Sequence, residues 1–256
     1  MLIAIEFIGD HEPIDRETLF SHLRQHTDPD KDDQVKADRS GATTNVLTNI
    51  EKCMPLVVSD DRYRYSLSDT IAGEYTSLYS GRQIYDALNR DDRDLATQEL
   101  QTDCLIFYPE MRSIVLFLWR RRQGKRSDLD DAFLGKTVFD VTFNSFTLPA
   151  TLRFAYLLGL VVRDPVQKGI YRVPRLLPLL LAQLVVEEYA AGTWSDPYVS
   201  LDVMSEHFFL KYGMKRPQFL RELESLRLLI PGLIVPGSYH TIALDLDLAR
   251  RLKLYE

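Results

Sequence analysis

TLPATLRFAYLLGLVVRDPVQKGIYRV, residues 147–173, is the stretch whose reading decides the fold. Leu148, Leu152, Ala155 and Leu158 recur at helical spacing and share one apolar face. Thr147 is placed to cap that helix. Pro149 fits its first turn, where no backbone donor is missed. Gly159 closes the helix, and the apolar triplet Leu160-Val161-Val162 follows. Arg163 to Gly169 is polar and turn-like, Ile170 to Val173 returns as a strand, and Pro174 stops it. The predicted order is helix, strand, turn, strand.

Two other segments repeat that order. In the first, Val46, Leu47, Ile50 and Met54 lie on one helical face and Pro55 ends the helix. Leu56-Val57-Val58 is the triplet and Ser59 to Arg62 the turn. Tyr63, Tyr65 and Leu67 then alternate with polar residues as a half-buried strand does. In the last segment, Phe219, Leu223, Leu226 and Ile230 trace the helical stripe after Pro217. There Leu233 to Val235 is the triplet, Pro236 to Ser238 the turn, and Tyr239 to Leu244 the strand. The triplets begin at residues 56, 160 and 233, so the spacing is irregular and excludes a solenoid of fixed period.

A helix followed by a two-stranded hairpin is the C-terminal half of a winged helix, and residues 147–173 resemble that superfamily most. The resemblance implies two further helices ahead of each copy. Ile14 to His26 would serve the first copy. Met111 to Arg122 with the Asp128 to Asn144 region would serve the second, and Ser200 to Tyr212, capped by Ser200, the third. The expected fold is therefore mainly α with small β-hairpins (α+β), in tandem winged-helix-like units. The units are expected at 1–88, at 89–191 with a following apolar helix over Leu179 to Tyr189, and at 192–256. Thr27 to Gly41, Asn89 to Asp94 and Gly192 to Pro197 are polar connectors by composition.

Bulk composition narrows the class. The 256 residues are 45% hydrophobic and 27% charged, which excludes wholesale disorder. Net charge is −6, so any nucleic-acid contact must be local rather than a general coating. Cys53 and Cys104 are the two cysteines, too few and too far apart for a disulfide framework or a Cys-rich zinc site. The N-terminus lacks a basic region and Glu6 interrupts its apolar run, so no signal peptide is expected. The longest apolar stretch, Leu176 to Val186, is broken by Pro178 and Gln183. It is well short of the roughly 20 residues a membrane span needs. A reducing cytoplasm is the expected setting.

A search for chemistry finds little. Gly135-Lys136-Thr137 ends like a phosphate-binding loop, but Asp130 stands where the loop needs its second glycine. His22 and His26 share a helix face at metal-ligand spacing. Only Asp28 and Asp30 are close in sequence, and two histidines leave a first shell incomplete. His11, His207 and His240 lack evident partners. Glu110-Met-Arg112 is the nearest approach to a nuclease Glu-x-Lys pair, and Asp245 and Asp247 read as solvated carboxylates. Neither a nucleophile elbow nor a dinucleotide fingerprint is present. Both cysteines lie in apolar sequence, which raises a thiol's pKa. The expectation is a non-enzymatic protein with no catalytic residue, cofactor, metal or small-molecule substrate.

The local electrostatic signal is basic. Met111 to Ser127 holds six Lys or Arg and no acid, with Arg120, Arg121, Arg122, Lys125 and Arg126 flanking Gly124. Such a run can neutralise several phosphates, or simply sit at a helix C-terminus where the dipole favours cations. Lys215, Arg216 and Arg221 make the start of the third helix cationic enough to enter a major groove. The first helix offers Thr44, Asn45, Thr48, Asn49 and Lys52, which are polar and suited to base edges. The second offers Arg153 beside Phe146, Phe154 and Tyr156, a face more apolar than DNA asks for and better fitted to protein. Three functions follow as expectations. The first is a DNA-associated component of a multi-subunit DNA-handling or regulatory complex. The second is a protein-interaction subunit without direct DNA binding, binding a protein partner or a second copy. It resembles, in acidity and layout only, the tandem winged-helix subunits that bind the kleisin of prokaryotic chromosome-organising complexes. The third is a hydrolase or nuclease with an unfamiliar site.

Overall fold

The structure, a computed structural model, describes residues 1–26, 39–71, 78–164, 166–167 and 169–255, with the backbone alone for Arg24, His26 and 39–43. The Asp28-Pro-Asp30 pair, most of the Thr27 to Gly41 connector and the His26 side chain lie outside the described residues. The contacts fall into two bodies, Met1–Phe107 and Tyr108–Glu256. Both are mainly helical, with small antiparallel sheets.

The first body runs α1 (Leu2–His11), β1 (Ile14–Asp15), α2 (Arg16–His26), α3 (Arg39–Thr48), β2 (Val57–Ser59), β3 (Arg64–Leu67), α4 (Gly81–Asn89) and α5 (Arg93–Phe107). A π-helical turn, Asn49–Cys53, extends α3. The sheet order is β1-β3-β2, with Ile14 opposite Tyr65 and Val57 opposite Leu67. The turn predicted at Ser59 to Arg62 forms because the Asp60 carboxylate accepts the backbone N–H groups of Arg62 and Arg64, both at 2.9 Å. The charged break at Asn89 to Asp94 separates α4 from α5, and both helices belong to this body. Ser80 and Gln83 form a reciprocal capping box at the start of α4. Gly81 sits there because a Cβ would lie 1.8 Å from the Leu56 carbonyl oxygen.

The second body holds α6 (Pro109–Arg120), β4 (Gly124–Lys125), α7 (Arg126–Phe133), β5 (Thr137–Val138), β6 (Val141–Thr142), α8 (Thr147–Leu157), β7 (Val162–Arg163) and β8 (Ile170–Arg172). It continues with α9 (Pro178–Ala190), β9 (Val199–Ser200), α10 (Leu201–Tyr212), α11 (Arg216–Leu229), β10 (Ile234–Pro236), β11 (Thr241–Leu244) and α12 (Leu246–Arg251). Its two three-stranded sheets have the orders β4-β8-β7 and β9-β11-β10. Among the described residues, the order helix, strand, helix, helix, strand, strand thus occurs three times. In each case the first strand pairs with the third, and the third with the second. The middle copy carries one addition, the β5–β6 hairpin ahead of α8.

One detail of α8 differs from the sequence reading. Thr147 does not cap α8; it is the first helical residue, and Asn144 Oδ1 accepts the N–H groups of Phe146 and Thr147 at 2.8 and 3.0 Å. An Asx side chain satisfies these orphan donors from outside the helix, which a residue already in helical conformation cannot do. The apolar helix over Leu179 to Tyr189 is α9. It is buried nearly all round and packs along α11, the helix of the last copy. Leu179, Leu180, Leu181, Leu184, Val185 and Val186 are all fully buried, each contributing about 1.5–3 kcal/mol of transfer free energy. Ser200 caps α10 as its sequence position implies, accepting from the Asp202 N–H.

Candidate functional site

The six cations between Met111 and Ser127 divide three ways. Arg112 points into the core. It is fully buried on α6, where Nε donates to Gln183 Oε1 at 2.5 Å and Nη2 donates to the Lys253 carbonyl. Burial pulls its pKa down to about 9. Arg112 therefore ties α6 to α9 and the C-terminal segment and offers nothing to a ligand. Arg120 pairs with Glu187, and Arg126 pairs with Asp130 one helical turn away at 2.8 Å. Arg121, Arg122 and Lys125 remain exposed and, among the described residues, make no ion pair. Arg121 lies over the Phe117 ring, 4.7 Å from its centroid. With Lys125, Gln123, Gly124, Asp128 and Ile170 it lines a shallow recess of about 390 Å³.

The cations at the start of α11 are more heavily compensated. Arg216 pairs with Asp202, and Arg221 lies 3.5 Å from Glu222. Lys215 and Arg216 line a second recess, of about 380 Å³, whose walls include Asp202 and Glu206. Lys215, at the N-cap of α11, is exposed.

The fold brings these two segments together. Gly213 ends α10 in the left-handed region, φ 70°, where glycine carries no Cβ penalty, and so turns the chain into α11. A Cβ at Gly213 would lie 3.7 Å from Arg122 Nη2. Nearby, the Trp119 and Tyr212 rings stand 5.6 Å apart. The α6–β4 turn with Arg122 therefore abuts the α10–α11 turn that carries Lys215. Neither segment signals the other in sequence.

A buried carboxylate anchors this junction. The Glu188 side chain on α9 is 8% exposed. It accepts from His207 Nε2 at 3.0 Å, Lys211 Nζ at 2.5 Å, Tyr212 Oη at 2.5 Å and Thr193 Oγ1 at 3.1 Å. Burial works to raise its pKa. The hydrogen bonds from Lys211 and Tyr212, the Lys211 charge and the Thr193 hydrogen bond outweigh that and hold it at about 2. A carboxylate so stabilised is a weak base; its role is to fix α10 against α9. His207, which has no evident partner in sequence, finds one here because Glu188 lies on a different helix.

The remaining candidates separate cleanly. Phe146 is 82% exposed and Tyr156 is 39% exposed beneath Arg163, whose guanidinium is 4.9 Å from the ring centroid. Phe154 is half-buried, edge-on to Tyr108 at 5.5 Å, so it belongs to the packing rather than to the surface. Leu157, 69% exposed, takes its place on the open face. On α3 and its π-helical extension, Thr44, Asn45, Thr48 and Lys52 are exposed, while Asn49 is half-buried and donates to the Asn45 carbonyl at 2.8 Å. The Gly135 and Lys136 N–H groups donate to the Phe143 and Phe133 carbonyls, at 2.8 and 2.9 Å, so neither can cradle a phosphate. His22 stacks on Phe7 with ring centroids 3.6 Å apart. Among the described residues no group of three or more metal-ligating side chains comes together, and no helix is long and apolar enough to cross a membrane. Cys104 is buried, its Sγ 3.5 Å from Met54 Sδ, and burial pushes its thiol pKa up.

One acidic pair, Asp103 buried and Glu99 half-buried, carries no signal in the sequence. Asp103 on α5 accepts the Leu78 N–H through Oδ1 at 2.6 Å. Its Oδ2 and the Oε2 of Glu99 have no hydrogen-bond partner among the described residues. Burial pushes Asp103 to about 8 and Glu99 to about 7. No protein-family model, curated protein or solved structure matches the chain.

Proposed function

We propose that the chain is a tandem winged-helix protein that works, without chemistry of its own, as a DNA-associated component of a larger assembly. The observation that carries the reading is the threefold recurrence of helix, strand, helix, helix, hairpin with one sheet order throughout. In this reading α3, α8 and α11 are the third helices of the three units, and β2–β3, β7–β8 and β10–β11 are their wings. DNA contact is assigned to the surface that carries Arg121, Arg122 and Lys125 beside the turn at Gly213, with Lys215 two residues further on. Uncompensated cations there can replace phosphate counterions on an otherwise acidic protein. The middle unit, with Phe146, Tyr156 and Leu157 in solvent, is assigned to protein contact.

The test is duplex DNA binding by the full chain over a salt series, with Arg121→Ala and Arg122→Ala combined. Each phosphate left without its cation should flatten the slope of log affinity against log salt by about 0.9, so the double variant should flatten it by about 2. Undiminished binding would remove this surface from the proposal. A second reading, a protein-interaction subunit without DNA contact, draws on the compensation of Arg216 and Arg221 by Asp202 and Glu222. It predicts negligible DNA affinity and a stable complex with a protein partner or a second copy.

A further inference from the structure

The solvent face of α8 has a definite pattern. Phe146, Ala150, Arg153 and Leu157 fall at positions i, i+4, i+7 and i+11, one stripe of the helix, and all four are exposed. Phe146 and Leu157, at its two ends, are 82% and 69% exposed. The helix holds no acidic residue. Residues 146–175 contain five Arg or Lys against the single acid Asp164, in a chain whose net charge is −6. Asp164 is already committed. It pairs with Arg172 at 3.3 Å and accepts the Val166 and Gln167 N–H groups. Arg163 is held over Tyr156, at the Leu157 end of the stripe, and among the described residues it makes no ion pair.

We propose that this stripe docks an acidic amphipathic helical segment of a protein partner, with apolar residues against Phe146 and Leu157 and carboxylates against Arg153 and Arg163. The inference rests on the middle unit being a protein-contact unit and names what it binds. Helix-in-groove recognition uses the same i, i+4, i+7 anchor spacing on the partner side. A second copy of the chain fits poorly. A two-fold axis through this stripe would gather Arg153 and Arg163 of both copies into one interface around a helix that holds no acid, and like charges at an interface cost affinity. DNA fits poorly as well, since it would place Phe146 and Leu157 against phosphates and sugars instead of removing them from water.

The probes are two fluorescein-labelled helical peptides with leucine at i, i+4, i+7 and i+11, one flanked by glutamates and one by lysines, and a mixed-sequence DNA duplex. Anisotropy is measured with the full chain, with Leu157→Asp, and with Arg153→Glu combined with Arg163→Glu. Circular dichroism checks that these surface variants fold. The glutamate peptide should bind and the lysine peptide should not. Leu157→Asp should weaken binding by about tenfold or more, as expected for loss of one of the two apolar anchors. The charge-reversed variant should exchange the preference. No binding of either peptide, equal binding of both, or displacement of the glutamate peptide by the duplex would each overturn the proposal. Reduced DNA affinity in Arg121→Ala with Arg122→Ala bears only on the DNA surface. Selective peptide binding by a chain that binds no DNA would keep this inference and remove that one.

Discussion

Replacing Glu188 by Gln should destabilise the second body by about 2–3 kcal/mol at neutral pH. The magnitude follows from the carboxylate's surroundings. Its pKa is held at about 2 against an ordinary 4.5, and each tenfold change in proton affinity is worth about 1.4 kcal/mol, giving about 3 kcal/mol in all. Lys211 is half exposed, so solvent screening trims that figure. Because the folded pKa is depressed, the contribution is present above the unfolded pKa and is lost as pH falls through the folded one. It should be full above about pH 5 and less than half by about pH 3. The amide introduced by Glu188→Gln would still accept one hydrogen bond, whereas Glu188→Ala would leave the Tyr212 hydroxyl and Lys211 without their acceptor and should cost about 3–5 kcal/mol. The assay is urea unfolding followed by tryptophan fluorescence. Trp119 and Trp194 both lie in the second body, so the signal reports on it alone. A Glu188→Gln variant within about 0.5 kcal/mol of the parent, or a deficit that does not shrink on acidification, would refute the assignment of Glu188 as the anchor of α10.

Asp103 and Glu99 should act in the opposite sense on the first body. Raised folded pKa values mean that the native state holds protons the unfolded chain releases, so stability falls as pH rises from about 4 to about 8. Asp103→Asn keeps the acceptor for Leu78 and should flatten that dependence in calorimetric melts of the first-body transition. Gly81→Ala should destabilise the same body by about 3 kcal/mol or more, because the new methyl meets backbone at Leu56 and not a movable side chain; chemical denaturation monitored by circular dichroism reads this directly. Asn144→Ala should cost about 1 kcal/mol by uncapping α8, measured as a shift in the urea midpoint at constant slope.

Local pattern makes the elements legible. The helical stripe and Gly159 predict α8, the Ser200 cap predicts α10, and the alternation at Tyr65 and Leu67 foretells β3, because each is set by side-chain periodicity and turn chemistry within a few residues; Tyr63, expected to open that strand, instead sits in the turn at φ 56° and is 67% exposed. The apolar character of α9 is visible too, but not that it packs along α11, since an all-round apolar helix carries no directional signal. Pairings between distant residues stay hidden. Nothing near Arg112 in sequence distinguishes it from Arg121; Gln183 and the Lys253 carbonyl, which make its burial tolerable, lie far along the chain. His207 likewise reads as unpartnered until α9, which carries Glu188, and α10 are set side by side. Of the candidate surface, the cations are legible by composition. Which of them are neutralised depends on Glu187, Asp202 and Asp130, which the helices bring alongside, and the turn that sets Gly213 beside Arg122 is equally hidden.

The most direct test of the central claim is the salt dependence of duplex DNA affinity for Arg122→Ala, Lys215→Ala and their combination, each verified as folded. If the two turns form one phosphate-binding surface, each single variant flattens the slope of log affinity against log salt by about 0.9, and the pair by about twice that. Affinity and slope unchanged in the combined variant would contradict the account.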